Sequence, residues 1–309
     1  MKTILPERKT TLFKELSPVQ ASGLSYSLSV IFSILSVFIF IIAIGALGLI
    51  NEGYTEKDWY LYSSFLLPQL CFALLTFLYI KAKKTTVKEL SRLPSPRYFL
   101  LAIVLQIGLL SLAELNTWFL ELLKIVGYES EGPTIPSLDG FGFVGVLFVV
   151  ALLPAIFEEI FFRGILLKGL KQFGELSAIL LCGALFSLYH KNPAQTVYQF
   201  ICGAAFAFVV IRSGSILPTV VSHFLNNAWI ITMEKFHWTL DAIYLPFLIV
   251  SILCLGLSVV YLFFFDKKDL KESVTNCAKK KDWKDFFLFA SIGIAVCALT
   301  WLVNLFAGM

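Results

Sequence analysis

Apolar residues along this chain fall in long unbroken runs, separated by short polar or charged stretches. The runs cover about 26–50, 59–80, 98–120, 141–170, 176–190, 195–212, 216–234, 243–265 and 285–307. A helix needs about 20 apolar residues to cross a bilayer, and most of these runs reach that length. The pattern predicts an all-α polytopic transmembrane bundle of nine spans, or eight if the fifth and sixth runs are partly re-entrant. The first run follows a polar, basic stretch (Lys2, Arg8, Lys9, Lys14) and is too long for a signal-peptide core, so it reads as a retained helix. Pro94, Ser95 and Pro96 read as a loop break ahead of the third span.

Composition agrees with this picture. Apolar residues make up 58% of the chain, charged residues 15%, and the mean hydropathy is +0.82. A soluble domain is nearer half apolar and about a quarter charged. The net charge of +4 says little, but its distribution says more. Basic residues gather at 81–97, 171–175, 212–215 and 266–284, including Lys267, Lys268 and Lys271. The stretches between carry acids instead: Glu52, Glu56 and Asp58, then Glu121, Glu129, Glu131 and Asp139. The positive-inside bias sets the N-terminus and the basic loops in the cytoplasm and the C-terminus outside. Basic residues confined to short loops suit contact with anionic lipid and exclude a nucleic-acid partner. Five of the six cysteines lie in apolar runs and Cys277 lies in a Lys-rich loop; without a CxxC pair they read as small hydrophobes, not a disulfide or zinc framework.

Charge inside the runs is the informative exception, because ionisable groups are costly in hydrocarbon. Glu158, Glu159 and Arg163 lie within the fourth run. Lys168 and Lys171 show that this run ends further on, so the cluster is more than an interfacial cap. Glu159 and Arg163 are four apart and share a helix face, acid first, which predicts that they pair. Glu158 sits about 100° round the helix and is free to face something else. Pro154, four before Glu158, leaves the Val150 carbonyl without its helical partner and predicts a kink. Phe186 and His190 share a face in the fifth run, and His223 and Asn227 share one in the seventh, with Asn226 a weaker competitor to Asn227. A buried His and Asn are costly unless both are satisfied, either as a site or as hydrogen-bonding glue between helices. Two of the three histidines fall in these signatures. Glu158 lies 16 residues before Gly174 and His190 lies 16 after it, so an antiparallel hairpin brings both to one depth. His223 is nearer its own turn, at Arg212 to Ser215, which by the same count puts it about 10 Å closer to the cytoplasm, a difference that unequal loop heights or a shorter fifth helix must absorb.

The ordered set EExxxR, FxxxH and HxxxN over roughly 70 residues resembles the CPBP intramembrane proteases, the CAAX-prenyl endopeptidase type II and bacteriocin-processing group with an ABI domain. The resemblance covers about 140–235, which divides the chain into N-terminal helices (1–139), a protease-like core (140–235) and C-terminal helices (236–309). It implies that Glu158, as general base, and His190 position and activate water. It further implies that His223 and Asn227 stabilise the oxyanion, while Glu159 and Arg163 orient the site. A carboxylate in a low-dielectric cavity suits general-base chemistry near neutrality, and oxyanion donors are a large catalytic term.

Such proteases are often described as metalloenzymes, and Glu158, His190 and His223 could supply three zinc ligands. The chain has no HExxH, however, and ligation would consume the base, which favours a metal-free, glutamate-dependent reaction. The expected activity is an intramembrane endopeptidase acting on a membrane-anchored peptide or protein, in a bacterial plasma membrane. The main alternative is a non-catalytic protein of the same fold, serving bacteriocin self-immunity or as a scaffold. A transporter would need paired broken helices in two related halves, which the sequence lacks.

Overall fold

The computed structural model describes residues 12–130, 132, 134–266 and 278–309. Lys2, Arg8, Lys9, Glu131, Lys267, Lys268, Lys271 and Cys277 lie outside them. Among the described residues there is no strand, and the long helices are α1 (Pro18–Ala46), α2 (Asp58–Lys83), α3 (Arg97–Ile125), α4 (Phe141–Phe173), α5 (Glu175–His190), α6 (Thr196–Ser213), α7 (Leu217–Phe236), α8 (Tyr244–Val260) and α9 (Lys280–Ala307). Seven of these regions (α1, α2, α3, α4, α6, α8 and α9) are long and apolar enough to cross a membrane. Helix α5 is apolar but has 16 residues, and α7 has 20 and carries the His223 to Asn227 signature. The chain is an integral, multi-pass membrane protein. Its outward surface is what lipid requires: Phe38, Ile39, Phe263, Leu288 and Val303 are all exposed.

Helix α1 begins at Pro18, not near residue 26. Ser17 and Gln20 form a reciprocal capping box, and Pro18 takes the first helical position, where a missing N–H costs nothing. The polar residues that obscured this start point inward. Ser22 Oγ donates to Ile165 O at 3.1 Å and accepts from Gly169 N–H at 3.1 Å, locking α1 against α4. Ser27 bonds Phe289 O of α9 at 2.7 Å, and Ser33 meets the Tyr189 hydroxyl of α5 at 2.9 Å. Small polar residues at helix interfaces let backbones approach closely where no hydrophobic drive operates between helices in lipid.

One buried apolar cluster draws on all three parts of the chain. It runs through Tyr26 and Phe72, Phe161 and Phe162, Phe186, and Phe286 and Ala290. At one end of the bundle a polar clasp joins four helices. Tyr98 OH contacts Asp266 at 3.0 Å and donates to Arg212 O at 2.9 Å, while Arg212 pairs with Glu175 at 3.3 Å. These residues lie at the start of α3, just past the end of α8, at the end of α6 and at the start of α5. The basic loops predicted to share one side of the membrane therefore do meet at one end.

Helices α5 and α6 cross at two glycines. A Cβ on Gly203 would stand 2.9 Å from Gly183 Cα and 3.0 Å from Phe186 Cδ1. Gly203→Val is expected to cost about 1–3 kcal/mol by overpacking, read as an earlier unfolding midpoint of the detergent-purified protein.

Candidate active site

Helix α4 leaves regular α-helical winding on both sides of Pro154. Leu147–Leu152 and Glu159–Leu166 are π-helical, with Leu153–Glu158 α-helical between them. Pro154 offers no N–H to the carbonyl of Val150 and crowds the preceding turn, and widened turns absorb that misfit. The freed carbonyl finds a partner on another helix: Asn227 Nδ2 of α7 donates to Val150 O at 3.2 Å. The kink expected from the sequence is thus a change of winding, bridged across to α7.

Glu159 and Arg163 pair as their spacing predicts, at 2.7 Å, with both side chains fully buried. A buried ion pair needs further hydrogen bonds to offset desolvation. Arg163 NH2 donates to Gly203 O at 3.3 Å, and the guanidinium lies 4.3 Å from the centre of the Phe186 ring. The close crossing of α5 and α6 supplies both contacts.

His223 stands between the two carboxylates. Its Nδ1 donates to Glu159 Oε1 at 3.0 Å, and its Nε2 faces Glu158 Oε2 at 4.0 Å. The difference of about 10 Å counted from its turn is therefore absorbed, as a shared site requires. The turn between α6 and α7 is sunk into the protein, with Ser213, Ser215 and Ile216 buried. Ser213 Oγ donates to Ser215 O at 2.9 Å and accepts from Ser215 N–H at 3.2 Å, so this backbone needs no water and can sit deep.

Glu158 is also held from α2, where Gln69 Nε2 donates to its Oε1 at 3.3 Å. His190 ends α5 close enough to interact electrostatically with Glu158. Its Nδ1 donates to Phe186 O at 2.8 Å, which leaves Nε2 as an acceptor. The Phe186 ring lies edge-on to His190, 4.8 Å between centres. The hairpin count about Gly174 thus brings Glu158 and His190 into one neighbourhood.

Asn227 belongs to a longer chain of amides. Asn226 Nδ2 donates to Asn227 Oδ1 at 3.3 Å. Gln106 Nε2 and Tyr198 OH both donate to Asn226 Oδ1, at 2.9 and 2.8 Å. Gln69, Gln106 and Tyr198 were not singled out from the sequence. The signal was available for the two amides, since each is a lone Gln in an apolar run, Leu-Pro-Gln-Leu and Val-Leu-Gln-Ile.

Among the described residues no three His, Cys, Asp or Glu side chains gather closely enough to hold an ion. The Nδ1 of each histidine is committed, to Glu159 and to Phe186 O, which leaves both Nε2 atoms for a water, a substrate or another ligand.

Residues 140–229 match the family described as Rce1-like: Type II CAAX prenyl endopeptidase Rce1-like. This segment is similar to the CPBP/CAAX proteases. All six sequence-predicted site residues, from Glu158 to Asn227, lie inside the matched segment, whereas Gln69 and Gln106 come from helices outside it. Comparison with curated proteins and with solved structures gave no match.

Proposed function

We propose that the protein is an intramembrane endopeptidase that hydrolyses a membrane-anchored peptide or protein, and that Glu158 is its general base. The observation that carries this reading is the arrangement around Glu158 Oε2. It faces His223 Nε2 across 4.0 Å, a gap too long for a direct hydrogen bond and suited to a bridging water.

In the proposed reaction Glu158 takes a proton from that water as it attacks the scissile carbonyl. His190 Nε2 accepts the second hydrogen and fixes the direction of attack. The oxyanion of the tetrahedral intermediate is stabilised by His223 and Asn227. His223 is held by Glu159 through Nδ1 and turns its Nε2 toward the reaction centre. Asn227 has a second N–H beyond the one given to Val150 O. Glu158 then returns its proton to the leaving amine, as general acid–base catalysis requires. Glu159 and Arg163 hold His223 in place. No step runs through a metal, so activity should survive removal of divalent cations by a chelator. The charge distribution supports a cytoplasmic N-terminus, and the compact helical layout suits a bacterial plasma membrane.

The test is cleavage of a prenylated, CAAX-terminated reporter peptide by the purified chain in liposomes. Wild type is expected to cleave it and His190→Ala to lose at least about 10²-fold in kcat. Equal activity in both would remove His190 from the mechanism. An inactive wild type that still binds the reporter would favour a scaffold or self-immunity role.

A further inference from the structure

We infer that Gln69, on α2 and outside the Rce1-like segment, is a positioning residue for Glu158. It leaves one carboxylate oxygen pinned and the other free to work. The role in hydrolysis rests on reading Glu158 as the base; the hydrogen bond does not.

Three observations carry the inference. First, Gln69 donates to Glu158 Oε1 at 3.3 Å, while Oε2 is the oxygen that faces His223. The two oxygens are therefore in different surroundings, which a freely rotating carboxylate would not maintain. Second, Gln69 is buried, with 4% of its surface exposed, and its Oε1 has no protein partner. A buried amide oxygen without a partner is costly, and water or a substrate N–H would satisfy it. Third, its surroundings are rigid and aromatic. Phe72, one turn on from Gln69, packs on Phe161 at 4.7 Å and on Tyr189 at 5.1 Å between ring centres. Those residues flank Glu158 and His190 in α4 and α5. Helix α2 thus holds the amide between the two elements that bear the proposed base and its histidine.

The other groups around Glu158 do not duplicate this contact. Glu159 and Arg163 of α4 are committed to each other. His223 of α7 is on the Oε2 side, and Nδ1 of His190 on α5 is committed to Phe186 O. A side chain of the right length with no donor should therefore release Glu158 Oε1.

The experiment reads the hydrogen bond and the reaction separately. Infrared spectra of the full chain in detergent assign the Glu158 carboxyl stretch by its loss in Glu158→Gln. Gln69→Met and Gln69→Glu are expected to displace that band, whereas Thr76→Val, which removes a buried hydroxyl elsewhere on α2, should leave it in place. With the reporter peptide, Gln69→Met should lower kcat by about tenfold or more, the size of one hydrogen bond to a charged group, with KM unchanged. A band that stays at its wild-type position in both Gln69 variants overturns the inference. A displaced band with unchanged kcat overturns the positioning role. If wild type cleaves nothing, the protease reading fails, while the band still decides the contact.

Discussion

Glu158→Gln is expected to reduce kcat on a membrane-anchored reporter by about 10²–10⁴-fold, with KM little changed. The substitution keeps the shape of the side chain and removes its ability to take a proton. Its partners are polar groups that an amide can still meet, Gln69 at 3.3 Å and His223 at 4.0 Å, so the fold should persist. Circular dichroism and the unfolding midpoint are expected to match wild type, which separates a chemical loss from a structural one. A Glu158→Gln protein with wild-type kcat would show that another group activates the water, and the proposed mechanism would fail at its first step.

Arg163→Ala is expected to produce the largest loss of stability, about 3–5 kcal/mol. Its guanidinium is the cation paired with a fully buried Glu159, at 2.7 Å. Removing it strands a carboxylate in a low-dielectric interior and takes away the contact with the Phe186 ring. The double variant Glu159→Gln with Arg163→Met should regain much of that stability, because neither charge is then left alone. It should not regain activity, since His223 loses the carboxylate that holds its Nδ1. Unfolding midpoints and reporter cleavage on Glu159→Gln, Arg163→Met and their double variant, beside Arg163→Ala, check both statements. Additive losses in stability would mean that the pair is not coupled.

Much of the site was legible because helical periodicity is a local property. The spacing of Glu159 and Arg163 predicts their pairing, and they pair. Pro154 marks where α4 departs from α-helical winding. The count of residues about Gly174 brings Glu158 and His190 to one neighbourhood, because two adjacent antiparallel helices share a turn as a common origin. For His223 the same count leaves a difference of about 10 Å that unequal loop heights must absorb, and the buried Ser213 and Ser215, which satisfy each other's polar groups, let that turn lie inside the protein. The start of α1 was misplaced for a related reason. Ser22 and Ser25 look like part of a polar leader in the sequence, and in the fold both are buried within α1.

The sequence by itself determined the membrane class, the helix order and the residue types of the site. Each of these depends on run length, composition or the spacing of neighbours along one helix. Only the tertiary structure decided which of those residues meet across helices. It set His223 between Glu158 and Glu159, gave Asn227 to the carbonyl freed by Pro154, and brought Gln69 from α2 to Glu158. Such contacts depend on the tilt of each helix and the depth of each turn, which are set by packing many residues away. No local pattern around Gln69 names Glu158 as its partner; the aromatic packing of α2 against α4 and α5 does.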